Sequence, residues 1–210
     1  MYQDILTIAV VTVFAFFAIY WMWFQGEVDG SRLIAKNSMK QQKFNIILVL
    51  VAAFIVKAIL AVKNEGYSVD ITCFRSWSET VFTGGLSHFY EGDVTDYPPG
   101  YMLVLWLVAA IRHLFNIDNY STTGLFMIKL FPMLFDLAAA YLIYVMAKKR
   151  FSEGMSLMLS TLYALNPAVV IDSSVWGQVD GVLCCMVLLT CYLFMEEKRI
   201  LAYFAFCAGV

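Results

Sequence analysis

Phe44-Asn-Ile-Ile-Leu-Val-Leu-Val-Ala-Ala-Phe-Ile-Val-Lys-Ala-Ile-Leu-Ala-Val62 carries a single charge, Lys57. Its length is close to the ~20 residues a helix needs to cross hydrocarbon. The pattern recurs on both sides of it. Residues 5–24 form an uncharged apolar run, residues 125–147 and 155–171 read the same way, and residues 179–195 are a shorter, acid-tipped candidate. About five or six spanning helices are expected. Residues 200–210 are apolar to the last position but too few to span, so the sequence is expected to be the N-terminal portion of a longer membrane protein. The run at 5–24 lacks the basic flank and small-residue cleavage site of a removable signal peptide.

Composition agrees with this reading. The chain of 210 residues is 61% apolar and 14% charged, with a mean hydropathy of +0.74, against roughly 45–50% and 25% in soluble domains. An ordinary cytosolic enzyme is excluded. A net charge of -2 with no basic block removes nucleic acid as a partner. Cys184, Cys185, Cys191 and Cys207 lie in apolar runs and Cys73 stands alone, so neither a disulfide framework nor zinc-ligand spacing is present and no metal is expected.

Orientation follows from lysine and arginine, which stay on the cytoplasmic side of short loops. Arg32, Lys36, Lys40 and Lys43 form one basic loop, Lys148, Lys149 and Arg150 a second, and Lys198 with Arg199 a third. If all three face the cytoplasm, an even number of crossings separates each from the next. Three apolar segments lie between Lys43 and Lys148, and the short one at residues 101–111 is the one that should not cross. It opens on Pro98-Pro99-Gly100, ends on Arg112-His113, and has the length of an interfacial helix. Residues 63–119 then become one extracytoplasmic connection and residues 172–180 a second. The alternative, in which 101–111 crosses, turns Lys148 to Arg150 outward against the charge rule.

The outer connections hold the residues suited to chemistry. In the first, Val69, Phe74, Trp77, Val81 and Phe82 recur at near-helical spacing, so a helix lying along the membrane surface is expected. Asp70 falls in or just before its first turn, where it can serve as a cap, as a proton acceptor, or as both. Pro98-Pro99 fixes the backbone beside Asp96 and Tyr97. In the second, Asn166-Pro167 kinks the end of a span. Trp176-Gly-Gln178-Val-Asp180 then supplies a flat ring, an amide and a carboxylate, the groups that bind a polyhydroxylated sugar.

Charges inside the hydrocarbon are costly and mark candidate sites. Lys129 and Asp136 share a helix face about 10 Å apart and cannot pair directly. Lys129 is expected either to hold an anionic headgroup or to snorkel to lipid phosphate, Asp136 to partner another helix, and Lys57 to snorkel.

Val69-Asp70 with Phe74-Arg75-Ser76-Trp77, then Asp96-Tyr-Pro-Pro-Gly-Tyr101, then Asn166-Pro167 leading to Val175-Trp-Gly-Gln-Val-Asp180, in this order, resemble the GT-C superfamily of polytopic glycosyltransferases. The likeness is nearest to bacterial proteins related to the GPI mannosyltransferases. Lys129-Leu-Phe-Pro-Met-Leu-Phe-Asp136 looks like the helix after the first outer loop of such proteins. The resemblance implies an all-α polytopic membrane protein, a GT-C-like helical bundle whose extracytoplasmic first loop carries juxtamembrane helices. Residues 1–43 would be an extra N-terminal helix with its basic loop, and residues 44–210 the front of the GT-C module.

The resemblance also implies a metal-independent, inverting transfer with Asp70 as general base. The donor substrate would be a polyprenyl- or dolichyl-phosphate-linked sugar, with no separate cofactor, and the acceptor a hydroxyl of a glycan, lipid or protein. Membrane lipids would be its other partners. Arg75, Trp77, Asp96, Tyr97, Lys129, Trp176, Gln178 and Asp180 would line the substrate cavity, with Arg75 and Lys129 as the cations for phosphate. A bacterial plasma membrane is expected in preference to an endoplasmic reticulum. The alternatives are a transporter segment or scaffold, with Lys129 and Asp136 on an ion path, or a homologue with the fold and no activity.

Overall fold

The computed structural model describes residues 39–92 and 97–209, and all regular structure among them is helical. The expected helix at residues 5–24 and the candidate Asp96 lie outside these residues. The order is α1 (Met39–Lys63), α2 (Ser68–Gly92), α3 (Pro99–Leu114), α4 (Thr122–Ala147), α5 (Glu153–Ala164), α6 (Pro167–Val170), a π-helical turn (Ile171–Trp176), α7 (Asp180–Met195) and α8 (Arg199–Gly209). The helix starts follow from residue type. Ser121 caps α4 by accepting from the Gly124 amide, Ser152 caps α5 through Met155, and Asn166 caps α6 with Pro167 at its first position. In α2 the helical path breaks at Gly85, whose φ is 74°.

Lys43–Lys63 and Thr122–Ala147 are long and apolar enough to cross a membrane. The expected span at 155–171 is instead a broken pair, Glu153–Ala164 and Pro167–Trp176, bent by 47°. Pro167 has no amide to continue the ladder, so the helix ends before it and restarts in a new direction. Among the described residues this gives two spanning helices, or three with the bent pair, where the sequence suggested more. α7 and α8, at 16 and 11 residues, are shorter apolar helices.

The helices pack so that the basic positions among the described residues share one end. Ile46 near the start of α1, Tyr144 near the end of α4 and Leu157 near the start of α5 form one cluster. Midway along the bundle, Ala53, Ala140 and Ala164 meet, small residues that let helix backbones approach closely. Lys149 pairs with Glu196, joining the turn after α4 to the turn after α7, and Lys148 pairs with Glu153 at the start of α5. Lys43, Lys148 to Arg150, and Lys198 with Arg199 therefore lie together. At the opposite end, the Tyr67 amide donates to the Trp176 carbonyl at 2.9 Å. The segment between α1 and α4 begins and ends there, with α2 and α3 joined by a core of Phe74, Val81, Phe89, Met102, Leu105 and Val108.

Three ionisable side chains are sealed inside this bundle, and two of them depart from expectation. Lys57 does not snorkel: it is fully buried, with its Nζ 2.8 Å from Asp136 Oδ2 and donating also to the Ser173 hydroxyl and the Val169 carbonyl, each at 3.0 Å. A lysine facing a neighbouring carboxylate and a carbonyl beside the broken helix finds acceptors without reaching the membrane surface. Asp136 is the interhelical partner its position suggested. Gly181 at the start of α7 packs against the same carboxylate; a Cβ there would lie 2.2 Å from Asp136 Oδ1. Lys129 is fully buried as well, with all of its hydrogen bonds to backbone carbonyls, at Asn64 (2.8 Å), Ser174 (3.0 Å) and Val175 (3.3 Å). It has no free edge for an anionic headgroup, because these carbonyls fill its donor positions. Asp136 and Lys129 thus belong to two closed networks and not to one ion path.

Removing one partner of a buried pair leaves the other charge uncompensated, at a cost of about 3–5 kcal/mol. Asp136→Ala should lower the thermal midpoint of the detergent-solubilised protein sharply, and Lys57→Met combined with Asp136→Leu should recover most of the loss. Equal midpoints for Asp136→Ala and the parent would contradict the assignment.

Candidate functional site

The site forms where the first turn of α2 meets the loop after the π-helical turn. That loop is folded on itself: the amides of Gly177 and Gln178 both donate to the Asp172 carbonyl at 2.9 Å. Gly177 takes a φ of 92° to make this turn, and a Cβ there would come within 2.7 Å of the Ile71 side chain. Both demands exclude a larger residue. The turn sends the two side chains flanking Gly177 to one carboxylate. Trp176 Nε1 donates to Asp70 Oδ2 at 2.8 Å, and Gln178 Nε2 donates to the same oxygen at 2.7 Å, across 106 and 108 residues of chain.

Asp70 sits in the first turn of α2, where the helix dipole favours its charge. Its hydrogen bonds run across to the second loop and not to its own helix, so the carboxylate is held by tertiary contacts. Oδ1 accepts no hydrogen bond among the described residues, and Asp70 is only half-buried, so this oxygen can meet a ligand. Lys129 does its work behind this arrangement. By binding Asn64 just before α2 and Ser174 and Val175 just before Trp176, it ties together the two segments that meet at Asp70.

Tyr97 extends the network, its hydroxyl donating to Gln178 Oε1 at 3.2 Å. Trp77 lies 5.2 Å from the Tyr97 ring, centroid to centroid, and 5.8 Å from Phe74, so it supports Tyr97 from within the aromatic core. Beyond Tyr97 opens a cavity of about 230 Å³ between the starts of α3 and α7 and the end of α8, lined by Tyr97, Tyr101, Asp180 and Leu183 among others. Tyr101 is among the lining residues, and its buried hydroxyl has no hydrogen-bond partner among the described residues. Burial, with Tyr97 beside it, pushes that phenol's pKa up, so it stays a neutral donor. In the sequence Tyr101 stands only as the end of the Pro-Pro segment, and the one signal there is a second tyrosine spaced across the two prolines from Tyr97.

The structure thus brings together Asp70, Tyr97, Trp176 and Gln178, with Asp180 at the cavity wall and Trp77 behind. Two expected members stand elsewhere. Arg75 lies 5.1 Å over the ring of Tyr120, because five positions along a helix turn a side chain about 140° from Asp70. Lys129 is committed to carbonyls, as described above. Among the described residues no three His, Cys, Asp or Glu side chains are grouped to hold a metal ion.

No family model and no solved structure matches this sequence. Over 128 residues, 58% of the chain, it is 27% identical to GPI mannosyltransferase 1 of Saccharomyces cerevisiae. The match spans 29% of that protein, so the chain corresponds to under a third of the length of the curated relative it resembles.

Proposed function

We propose that this chain is the front part of a membrane glycosyltransferase of mannosyltransferase-like type, transferring a sugar from a polyprenyl-phosphate-linked donor to an acceptor hydroxyl. Similarity to a GPI mannosyltransferase and the apolar helices support a membrane glycosyltransferase in general terms. The observation that carries the reading further is the Asp70 carboxylate, gripped on one oxygen by Trp176 and Gln178 and open on the other. By the positive-inside rule, the end of the bundle that holds Asp70 is extracytoplasmic, since the basic loops gather at the opposite end.

In this reading Asp70 Oδ1 takes the proton of the acceptor hydroxyl as its oxygen attacks the anomeric carbon. The bond from that carbon to the phosphate oxygen breaks from the opposite face, the lipid phosphate leaves with the electron pair, and the configuration inverts. Trp176 and Gln178 hold the base in place through its other oxygen. Asp180, Tyr97 and Tyr101 offer hydrogen bonds to sugar hydroxyls, while the exposed face of Trp176 offers a stacking surface.

Loss of a positioned general base costs typically 10²–10⁴-fold in turnover. Asp70→Asn in the full-length protein should therefore reduce sugar transfer from a lipid-phosphate-linked donor by about a hundredfold or more, with expression and thermal midpoint close to the parent. Normal turnover by that variant would remove Asp70 from the role.

A further inference from the structure

Arg75 on α2 stands one turn before Glu79, the partner of Arg112 on α3, so two arginines share the side of α2 turned away from Asp70, in a place the transferase reading does not use. Arg75 rests over Tyr120 and makes no ion pair among the described residues. Arg112, in the last turn of α3, is 3% exposed and pairs through Nη2 with Glu79, whose other oxygen lies 3.0 Å from His113 Nε2. The Nε of each arginine is buried with no hydrogen-bond partner among the described residues. Asn119, whose Nδ2 donates to the Arg75 carbonyl at 3.3 Å, leaves its buried Oδ1 unpartnered in the same junction.

Buried polar groups are paired in roughly nine cases of ten. Three orphans at the meeting of α2, α3 and the loop into α4 mark a place whose hydrogen bonding the described residues do not complete. Charge points the same way. Burial lowers the pKa of Arg112; Asp118 opposes that shift and the neighbouring charge of Arg75 adds to it. Glu79, the carboxylate in contact, is already shared between Arg112 and His113, so an additional anion would relieve the two cations. The surroundings indicate which anion. Leu114, Phe115 and Tyr120 are 75%, 67% and 74% exposed, forming an apolar rim beside the guanidinium pair where the chain enters the span of α4. Apolar side chains flanking paired arginines match an acyl chain and a headgroup phosphate.

We infer that Arg75 and Arg112, with Tyr120 beside them, form a binding site for the phosphodiester headgroup of an anionic phospholipid, separate from the Asp70 site. The inference uses the membrane reading and stands apart from the transferase reading.

The test is the thermal midpoint of the full-length protein in detergent, titrated with dioctanoyl phosphatidylglycerol, with dioctanoylglycerol and with inorganic phosphate. Arg112 is left intact, because its loss would break the buried pair with Glu79. Phosphatidylglycerol should raise the midpoint saturably, and Arg75→Gln should weaken the apparent affinity about tenfold. Arg75→Lys should restore only part of it, since an ammonium cannot make the planar fork. Asp70→Asn should keep the full response. Unchanged affinity in Arg75→Gln, or an equal shift from dioctanoylglycerol or from phosphate alone, would overturn the inference. Loss of the response in Asp70→Asn would place the lipid at the Asp70 site and overturn it too, while leaving the transferase reading intact.

Discussion

One buried ammonium organises the end of the molecule that matters. Lys129 enters the bundle from α4 and holds the carbonyls of Asn64, Ser174 and Val175. In a hydrocarbon setting every backbone polar group needs an internal partner, and a broken helix followed by an irregular loop would otherwise leave carbonyls bare. Lysine solves both problems together, since its charge needs acceptors and the loops need a donor. The result fixes the entry to α2 against the exit from the π-helical turn. From that juncture Asp70 faces Trp176 and Gln178, and the cavity beyond Tyr97 takes its walls. The second sealed network, Lys57 with Asp136, Ser173 and Val169, holds the broken helix from below.

Ionisable residues inside membranes are usually read as functional by default. Here Lys57, Lys129 and Asp136 act structurally, and the group suited to chemistry lies at the helix end where solvent and headgroups reach it. In the proposed role a proton acceptor has to meet a hydroxyl, and half-burial suits Asp70 to that role better than full enclosure would. Rigidity comes instead from its two donors, each fixed in turn: Trp176 against the Tyr67 ring at 5.1 Å, and Gln178 by Tyr97 and the Asp172 turn.

Much of the helical architecture was legible in the chain. The apolar runs at 44–62 and 125–147 fall within spanning helices, Pro167 breaks the next, and the near-helical spacing of Val69 to Phe82 lies within α2. Among the described residues, the basic loop after α4 meets the one after α7 in the pairing of Lys149 with Glu196. Residues at the site were legible by type, Asp70 by its place in a first turn and Trp176 to Asp180 by their clustered chemistry. What escaped were directions and partners. Position along a helix does not reveal whether Lys57 meets a carboxylate or lipid, nor that a π-helical turn will turn carbonyls toward Lys129. The same limit misplaced Arg75, since five residues from Asp70 is near in sequence and far around the helix.

The central claim is that the Asp70 site and the basic loops lie on opposite sides of the membrane. Accessibility of single cysteines, in a variant stripped of its five native ones, tests it most directly, with probes at Glu65, Asp118, Arg150 and Glu197, all exposed. A membrane-impermeant thiol reagent applied to intact cells or sealed, right-side-out vesicles should label Glu65→Cys and Asp118→Cys and spare Arg150→Cys and Glu197→Cys until the membrane is opened. Labelling of Arg150→Cys before permeabilisation, or protection of Glu65→Cys, would contradict the topology and with it the assignment of an extracytoplasmic site.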